Sequence, residues 1–129
     1  MDQNIPNKVK ILWVEDDSFL TNIIAQQLAQ QNWELVYAAE GASAIALAHK
    51  ERPDVIVLDV LLPGMDGVEV LRQLKADEET KNIPVIMFSN FDDKAKIAES
   101  LGLGAQGYLV KANVDLETIV AEIQKIISR

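Results

Sequence analysis

Four short apolar runs, separated by stretches with helical spacing, constrain this chain more than any other feature. They are Ile11-Leu12-Trp13-Val14, Val55-Ile56-Val57-Leu58, Val85-Ile86-Met87-Phe88 and Tyr108-Leu109-Val110. Most are rich in β-branched or aromatic residues. Their apolarity is continuous rather than alternating, which predicts strands covered on both faces, as in a parallel sheet. A weaker fifth run, Leu35-Val36-Tyr37-Ala38-Ala39, follows Glu34 and is placed at a sheet edge.

The intervening stretches read as helices. Phe19, Leu20, Ile23, Ile24 and Leu28 recur at helical spacing, with Asp17 or Ser18 as the cap. An Ala-rich segment, Ala42 to Lys50, follows Gly41. Val68, Leu71 and Leu74 form the inner stripe of a third helix. Ala95, Ile97, Ala98 and Leu101 form that of a fourth, capped by Asp92 or Asp93. Leu116, Ile119, Val120, Ile123, Ile126 and Ile127 give the fifth a wide apolar face. The order is β-α repeated five times, and right-handed crossovers then place helices on both faces of one parallel sheet. Pro53 and Pro84 precede strands three and four, where a missing N–H costs little.

At 129 residues the chain suits one domain with a single core. No linker, repeat or low-complexity segment breaks it. The expected organisation is one domain over 1–129, core 9–128, with no output domain. Twenty acidic against twelve basic residues give a net charge of −8, which disfavours direct nucleic-acid binding. The absence of Cys excludes thiolate chemistry and Cys-ligated zinc. The polar stretch Met1 to Lys8 is no signal peptide, and no apolar run approaches a membrane span, so the expected location is cytoplasmic.

In an open α/β sheet the ligand crevice lies beyond the carboxyl ends of the strands. Strand one ends in Glu15-Asp16-Asp17, strand three in Asp59, strand four in Ser89 and strand five in Lys111. Strand two ends in Ala39, with nothing reactive. Adjacent strands lie about 4.8 Å apart. If strands one and three are neighbours, Glu15, Asp16 and Asp59 fall within about 5 Å of one another. Each carboxylate pair then repels by roughly 3 kcal/mol at an effective dielectric of ~20. Three pairs approach ~10 kcal/mol, comparable to a domain's whole stability. Such a cluster needs protons or a cation. Lys111 supplies one charge, and hard carboxylate oxygens suit Mg²⁺ for the rest. The Pro and Gly residues of Leu61-Leu62-Pro63-Gly64-Met65-Asp66-Gly67 make tight turns, which would let the Leu61 carbonyl join the metal shell.

With these residues in view, the chain resembles the receiver domain of two-component response regulators, of the single-domain, chemotaxis-regulator-like type. The resemblance covers Val9 to Ser128. It rests on Ile11 to Asp17, on Pro53 to Asp59 with Leu62 to Gly67, on Pro84 to Ser89 and on Gly107 to Lys111, all four in order. It implies a five-stranded parallel sheet of order 2-1-3-4-5 in a flavodoxin-like, doubly wound fold. It implies phosphorylation of Asp59 by a phosphohistidine on a sensor histidine kinase or histidine phosphotransfer protein. Asp16 and Asp59 would ligate Mg²⁺, with Glu15 directly or through water and Leu61 through its carbonyl. Lys111 would pair with phosphoryl oxygens. Ser89 would donate its hydroxyl to the phosphoryl group, and Tyr108 matches the aromatic switch that follows. The expected product is a phosphorylation-controlled module, no enzyme beyond its own phosphorylation and slow dephosphorylation. It would bind an unidentified downstream protein through the face of helix four, strand five and helix five.

Two positions depart from the pattern. Ala112 follows Lys111 where the family often has Pro and a cis peptide. A cis bond to Ala would cost about 2.5–4 kcal/mol, which leaves its isomer open. Glu15 stands where Asp is frequent.

Plainer readings exist for several residues. Asp17, Asp66 and Asp92 or Asp93 read as helix caps, Trp13 as core, and His49 as a cation suited to a helix carboxyl end. Ser89 also suits a turn cap, and Tyr108 also suits packing. A haloacid-dehalogenase-type phosphatase would need a second Asp two residues beyond Asp59, where Leu61 has no proton to give. A flavin binder is disfavoured because three acids would repel its phosphate.

Overall fold

The computed structural model describes residues 8–128. The amino-terminal stretch read as carrying no export signal therefore lies, Lys8 apart, outside the described residues. Five strands and five helices alternate: β1 Lys10–Val14, α1 Ser18–Gln30, β2 Glu34–Ala38, α2 Gly41–Glu51, β3 Val55–Leu58, α3 Gly67–Ala76, β4 Val85–Ser89, α4 Lys94–Gly102, β5 Gly107–Val110 and α5 Leu116–Ile127. All strands are parallel, in the order β2-β1-β3-β4-β5. The expected sheet is therefore observed, with the weakest run at the edge.

Strand parity sorts the core into two layers. Leu12, Val14, Ile56, Leu58, Val85 and Met87 pack with Ala44, Ala48, Val68, Val70, Leu71 and Leu74 of α2 and α3. Ile11, Trp13, Val55, Val57, Ile86 and Phe88 pack with Ile24, Leu28, Ile119, Val120 and Ile123 of α1 and α5. All four residues of β3 are buried, which is why that run is wholly apolar. Each such side chain stabilises the fold by roughly 2 kcal/mol through burial. Among the described residues no helix is long and apolar enough to cross a membrane.

Acidic caps set the helix starts. Asp17, Asp66, Asp93 and Asp115 each accept a backbone N–H three residues on, at 2.9–3.1 Å. Two helix faces differ from the sequence reading. In α1 the buried positions are Thr21, Ile24 and Leu28, while Phe19 and Ile23 face outward. In α4 only Ser100 is buried. Ile97 is half-buried, and Ala95, Ala98 and Leu101 are exposed. The reason is shared. The Thr21 hydroxyl donates to the Asp17 carbonyl at 2.9 Å and that of Ser100 to the Lys96 carbonyl at 2.8 Å. A hydroxyl satisfied inside its own helix can be buried at little cost.

Candidate functional site

Register brings the reactive strand ends together. Val14 pairs with Leu58, so the next residues, Glu15 and Asp59, emerge side by side. Their backbones stay in the ladder. The Asp59 N–H donates to the Val14 carbonyl at 3.1 Å and the Glu15 N–H to the Ala38 carbonyl at 3.0 Å. Ser89 pairs with Val110, which brings Lys111 to the same rim from the far strand.

Glu15, Asp59 and Ser89 are all buried. The Lys111 ammonium donates to Asp59 Oδ2 at 2.8 Å and also to Glu15 Oε1. It lies 5.7 Å from the centroid of the Phe88 ring, a cation–π contact that holds it from below. Phe88 is in turn fixed edge-on by Trp13. Leu61 contributes its N–H, which donates to Asp59 Oδ1 at 3.0 Å. Both Asp59 oxygens are thus engaged. Asp16 stands apart: its side chain is exposed at the start of the turn into α1.

The electrostatics follow from burial. Burial pushes the Glu15 carboxyl above the usual glutamate range, against the pull of Lys111 and together with the repulsion of Asp59. Burial also opposes the charge on Lys111, but the Asp59 and Glu15 carboxylates outweigh it and hold the ammonium above the usual lysine range. Two buried carboxylates share one cation, so the knot carries a net negative charge.

The expected ligand set for Mg²⁺ was Glu15, Asp16, Asp59 and the Leu61 carbonyl. Hard oxygen donors in a net-negative pocket fit that ion chemically. The arrangement is only partly assembled. Among the described residues no group of three or more His, Cys, Asp or Glu side chains is placed to hold a metal. Glu15 and Asp59 are bound to Lys111, and Asp16 is exposed.

The loop after β4 is held from two sides. Ser89 Oγ accepts the Phe91 N–H at 3.2 Å, and the Tyr108 hydroxyl donates to the Phe91 carbonyl. Burial pushes the Tyr108 phenol above its usual value, partly offset by the nearby Ser89 hydroxyl. The Lys111–Ala112 peptide is trans.

Two residues of this site escaped the sequence reading. Phe88 looked like core, and nothing in a run of apolar residues marks a ring as a platform for a cation. Gly67 looked like a turn residue. A Cβ there would lie 2.0 Å from the Asp59 carbonyl oxygen, so its role is close backbone approach beneath Asp59. His49 is remote from the site. Its ring nitrogens lie 3.0 Å from Asp77 Oδ2 and 3.1 Å from Glu79 Oε1, tying α2 to the segment after α3.

Comparison with known proteins gives a consistent picture. The family model described as "Response regulator receiver domain" matches residues 11–124. Protein PilH of Pseudomonas aeruginosa is 33% identical over 92% of this chain and 98% of its own length. The chemotaxis protein CheY4 of Vibrio cholerae has a solved structure with a TM-score of 0.84 and 31% identity, covering 93% of this chain and 99% of that one. The BeF3-activated receiver domain of Klebsiella pneumoniae RstA gives a TM-score of 0.83 at 28% identity, covering 93% and 99%. The chain spans half or less of several other curated relatives, which are regulators of greater length.

Proposed function

Because this chain belongs to the response regulator receiver domain family, we propose that it captures a phosphoryl group on Asp59 and thereby switches partner binding. Receiver domains of two-component systems are signalling phosphoacceptors and interact with histidine kinases or phosphotransfer proteins. The observation that carries the assignment to Asp59 is its pairing with Lys111 at 2.8 Å, across the intervening β4 at the carboxyl edge of the sheet.

An Asp59 oxygen forms a bond to phosphorus as the phosphorus–nitrogen bond of a phosphohistidine breaks, and the electron pair returns to the imidazole. Such transfer needs an in-line nucleophile and neutralised phosphoryl oxygens. The Leu61 N–H and Lys111 orient the carboxylate beforehand. Once the acyl phosphate exists, Lys111 is free to pair with a phosphoryl oxygen. A Mg²⁺ ion bound by Asp59, Glu15, the Leu61 carbonyl and an inward-turned Asp16 would supply further positive charge there.

Ser89 and Tyr108 form the switch. Ser89 Oγ now serves the Phe91 N–H, and a phosphoryl oxygen offers its hydroxyl a stronger acceptor. The loop moves with it, and Tyr108 is already bound to that loop. The readout face is α4, β5 and α5, where Ala95, Ala98 and Leu101 are exposed. Driving a population from 1:99 to 99:1 takes about 5.5 kcal/mol, within reach of a few charge-assisted bonds. The downstream target is a protein, the setting cytoplasmic.

The test is labelling by acetyl phosphate. Wild-type protein should take up label in Mg²⁺ and lose that capacity with a chelator or with Asp59→Asn. Full labelling of the variant overturns the assignment.

A further inference from the structure

We propose that Asn90 is a positioning residue for phosphoryl capture, tying the segment that carries Ser89 to the turn that carries Lys111. This rests on the reading of Asp59 as the phosphoacceptor. The contact is direct: Asn90 Oδ1 accepts the Ala112 N–H at 2.9 Å.

Its placement follows from the register. Ser89 pairs with Val110, the last residue of β5, so Asn90 and Lys111 stand opposite each other one step past the sheet. Just before β5 the Gln106 N–H donates to the Val85 carbonyl at 2.7 Å, and the parallel β4–β5 ladder follows. Beyond Val110 the chain winds into a single 3-10 turn, Lys111–Asn113. The first N–H groups of such a turn have no partner within it. A backbone N–H can only donate, and the Asn90 side-chain oxygen supplies the acceptor. It thereby extends the β4–β5 pairing by one rung, made by a side chain.

The rung brackets Lys111. On the β5 side, Tyr108 holds the Phe91 carbonyl and Ala112 holds Asn90, and Lys111 lies between them in the chain. On the β4 side, Ser89, Asn90 and Phe91 are consecutive: Asn90 and Phe91 make the two bonds across to β5, and Ser89 Oγ accepts the Phe91 N–H within its own segment. The hydroxyl and the ammonium that meet the phosphoryl group are therefore carried on two segments locked together at both ends. Without Asn90 only the Tyr108 end remains, and the spacing between Ser89 and Lys111 is set less tightly. Neither Asn90 nor Ala112 is buried, so breaking the contact leaves the core intact.

The experiment pairs amide spectroscopy with titration by beryllofluoride in Mg²⁺, a phosphoryl mimic. Asn90→Ala and Asn90→Leu should shift the Ala112 amide resonance and speed its hydrogen exchange. They should also weaken beryllofluoride binding by roughly three- to tenfold, the span one neutral hydrogen bond is worth. Asn90→Asp keeps an acceptor oxygen and should retain the wild-type Ala112 exchange rate. An unaltered Ala112 amide in Asn90→Ala, or an unaltered beryllofluoride affinity there, overturns the proposal while the phosphoacceptor reading stands. Wild-type protein that takes up no beryllofluoride brings down both.

Discussion

The Lys111 ammonium lies 2.8 Å from Asp59 Oδ2 and donates at the same time to Glu15, so one cation serves two buried carboxylates from adjacent strands. The sum of charges is negative, and burial holds the Glu15 carboxyl above its usual range. A site one positive charge short, with hard oxygens at hand, supports the proposal of a divalent ion there.

Lys111→Met should leave both carboxylates without their cation. Removing one partner of a fully buried pair costs about 3–5 kcal/mol. The Lys111 side chain is 13% exposed, so solvent lowers the expected loss to about 2 kcal/mol. Magnesium should restore part of it, because ion and ammonium compete for the same oxygens. Urea denaturation with and without MgCl₂ checks this. Equal stability of variant and wild type without magnesium would show that the ion pair contributes nothing.

Gly67→Ala should damage the site through the backbone. The new Cβ would meet the Asp59 carbonyl oxygen at 2.0 Å, and main chain cannot yield as a side chain does. We expect a loss of about 3 kcal/mol or more. The Asp59 and Leu61 amide resonances should move with it. Gly64→Ala meets no steric contact and strains only a positive φ of 79°, so it should cost less. The reverse order of stabilities would contradict this account.

Tyr108→Phe removes the hydroxyl that donates to the Phe91 carbonyl. Stability should fall by about 1 kcal/mol, the net worth of one hydrogen bond. Hydrogen exchange should quicken most over residues 90–93, beyond the small uniform rise that a lower global stability gives β1 and β3. Unchanged exchange over residues 90–93 would show that the ring, not the hydroxyl, holds this loop.

Asp115 caps α5 by accepting both the Thr118 N–H at 2.9 Å and the Thr118 hydroxyl at 2.8 Å. These bonds favour the carboxylate and lower its pKa below the usual 3.8. Its stabilisation is therefore fully present above pH 3.8 and is lost as pH falls through the lower folded-state value. Asp115→Asn keeps an acceptor without a titrating proton, so the gap between wild type and variant should narrow as pH falls below 3.8 through the lower folded-state value. Thermal denaturation across that window reads it. A constant gap would remove Asp115 from the acid response.

Much of the fold could be read from the sequence because its strongest signals are local. Four unbroken apolar runs mark strands of a parallel sheet, and Asp17, Asp66 and Asp93 announce helix starts. Three of the runs are buried on both faces, while the Tyr108-Leu109-Val110 run is half-buried because β5 lies at the far edge. The two helix faces were harder. Thr21 and Ser100 are buried where an apolar residue was expected, because each hydroxyl bonds one turn back within its helix, and hydropathy cannot register that. At the site, the strand-end rule placed Glu15, Asp59, Ser89 and Lys111 at one rim. It could not tell that Asp16, next along from the buried Glu15, is exposed. Nor could it reveal that Phe88 underlies the ammonium or that Gly67 abuts Asp59, since both depend on segments far apart in sequence.

The central claim is that Asp59 carries the phosphoryl group. Incubation with acetyl phosphate and Mg²⁺, followed by mapping of the modified residue by mass spectrometry, tests it most directly. The account predicts a single phosphoryl group on Asp59, sensitive to hydroxylamine as an acyl phosphate is. Phosphorylation confined to Ser89 or His49, with Asp59 unmodified, would contradict it.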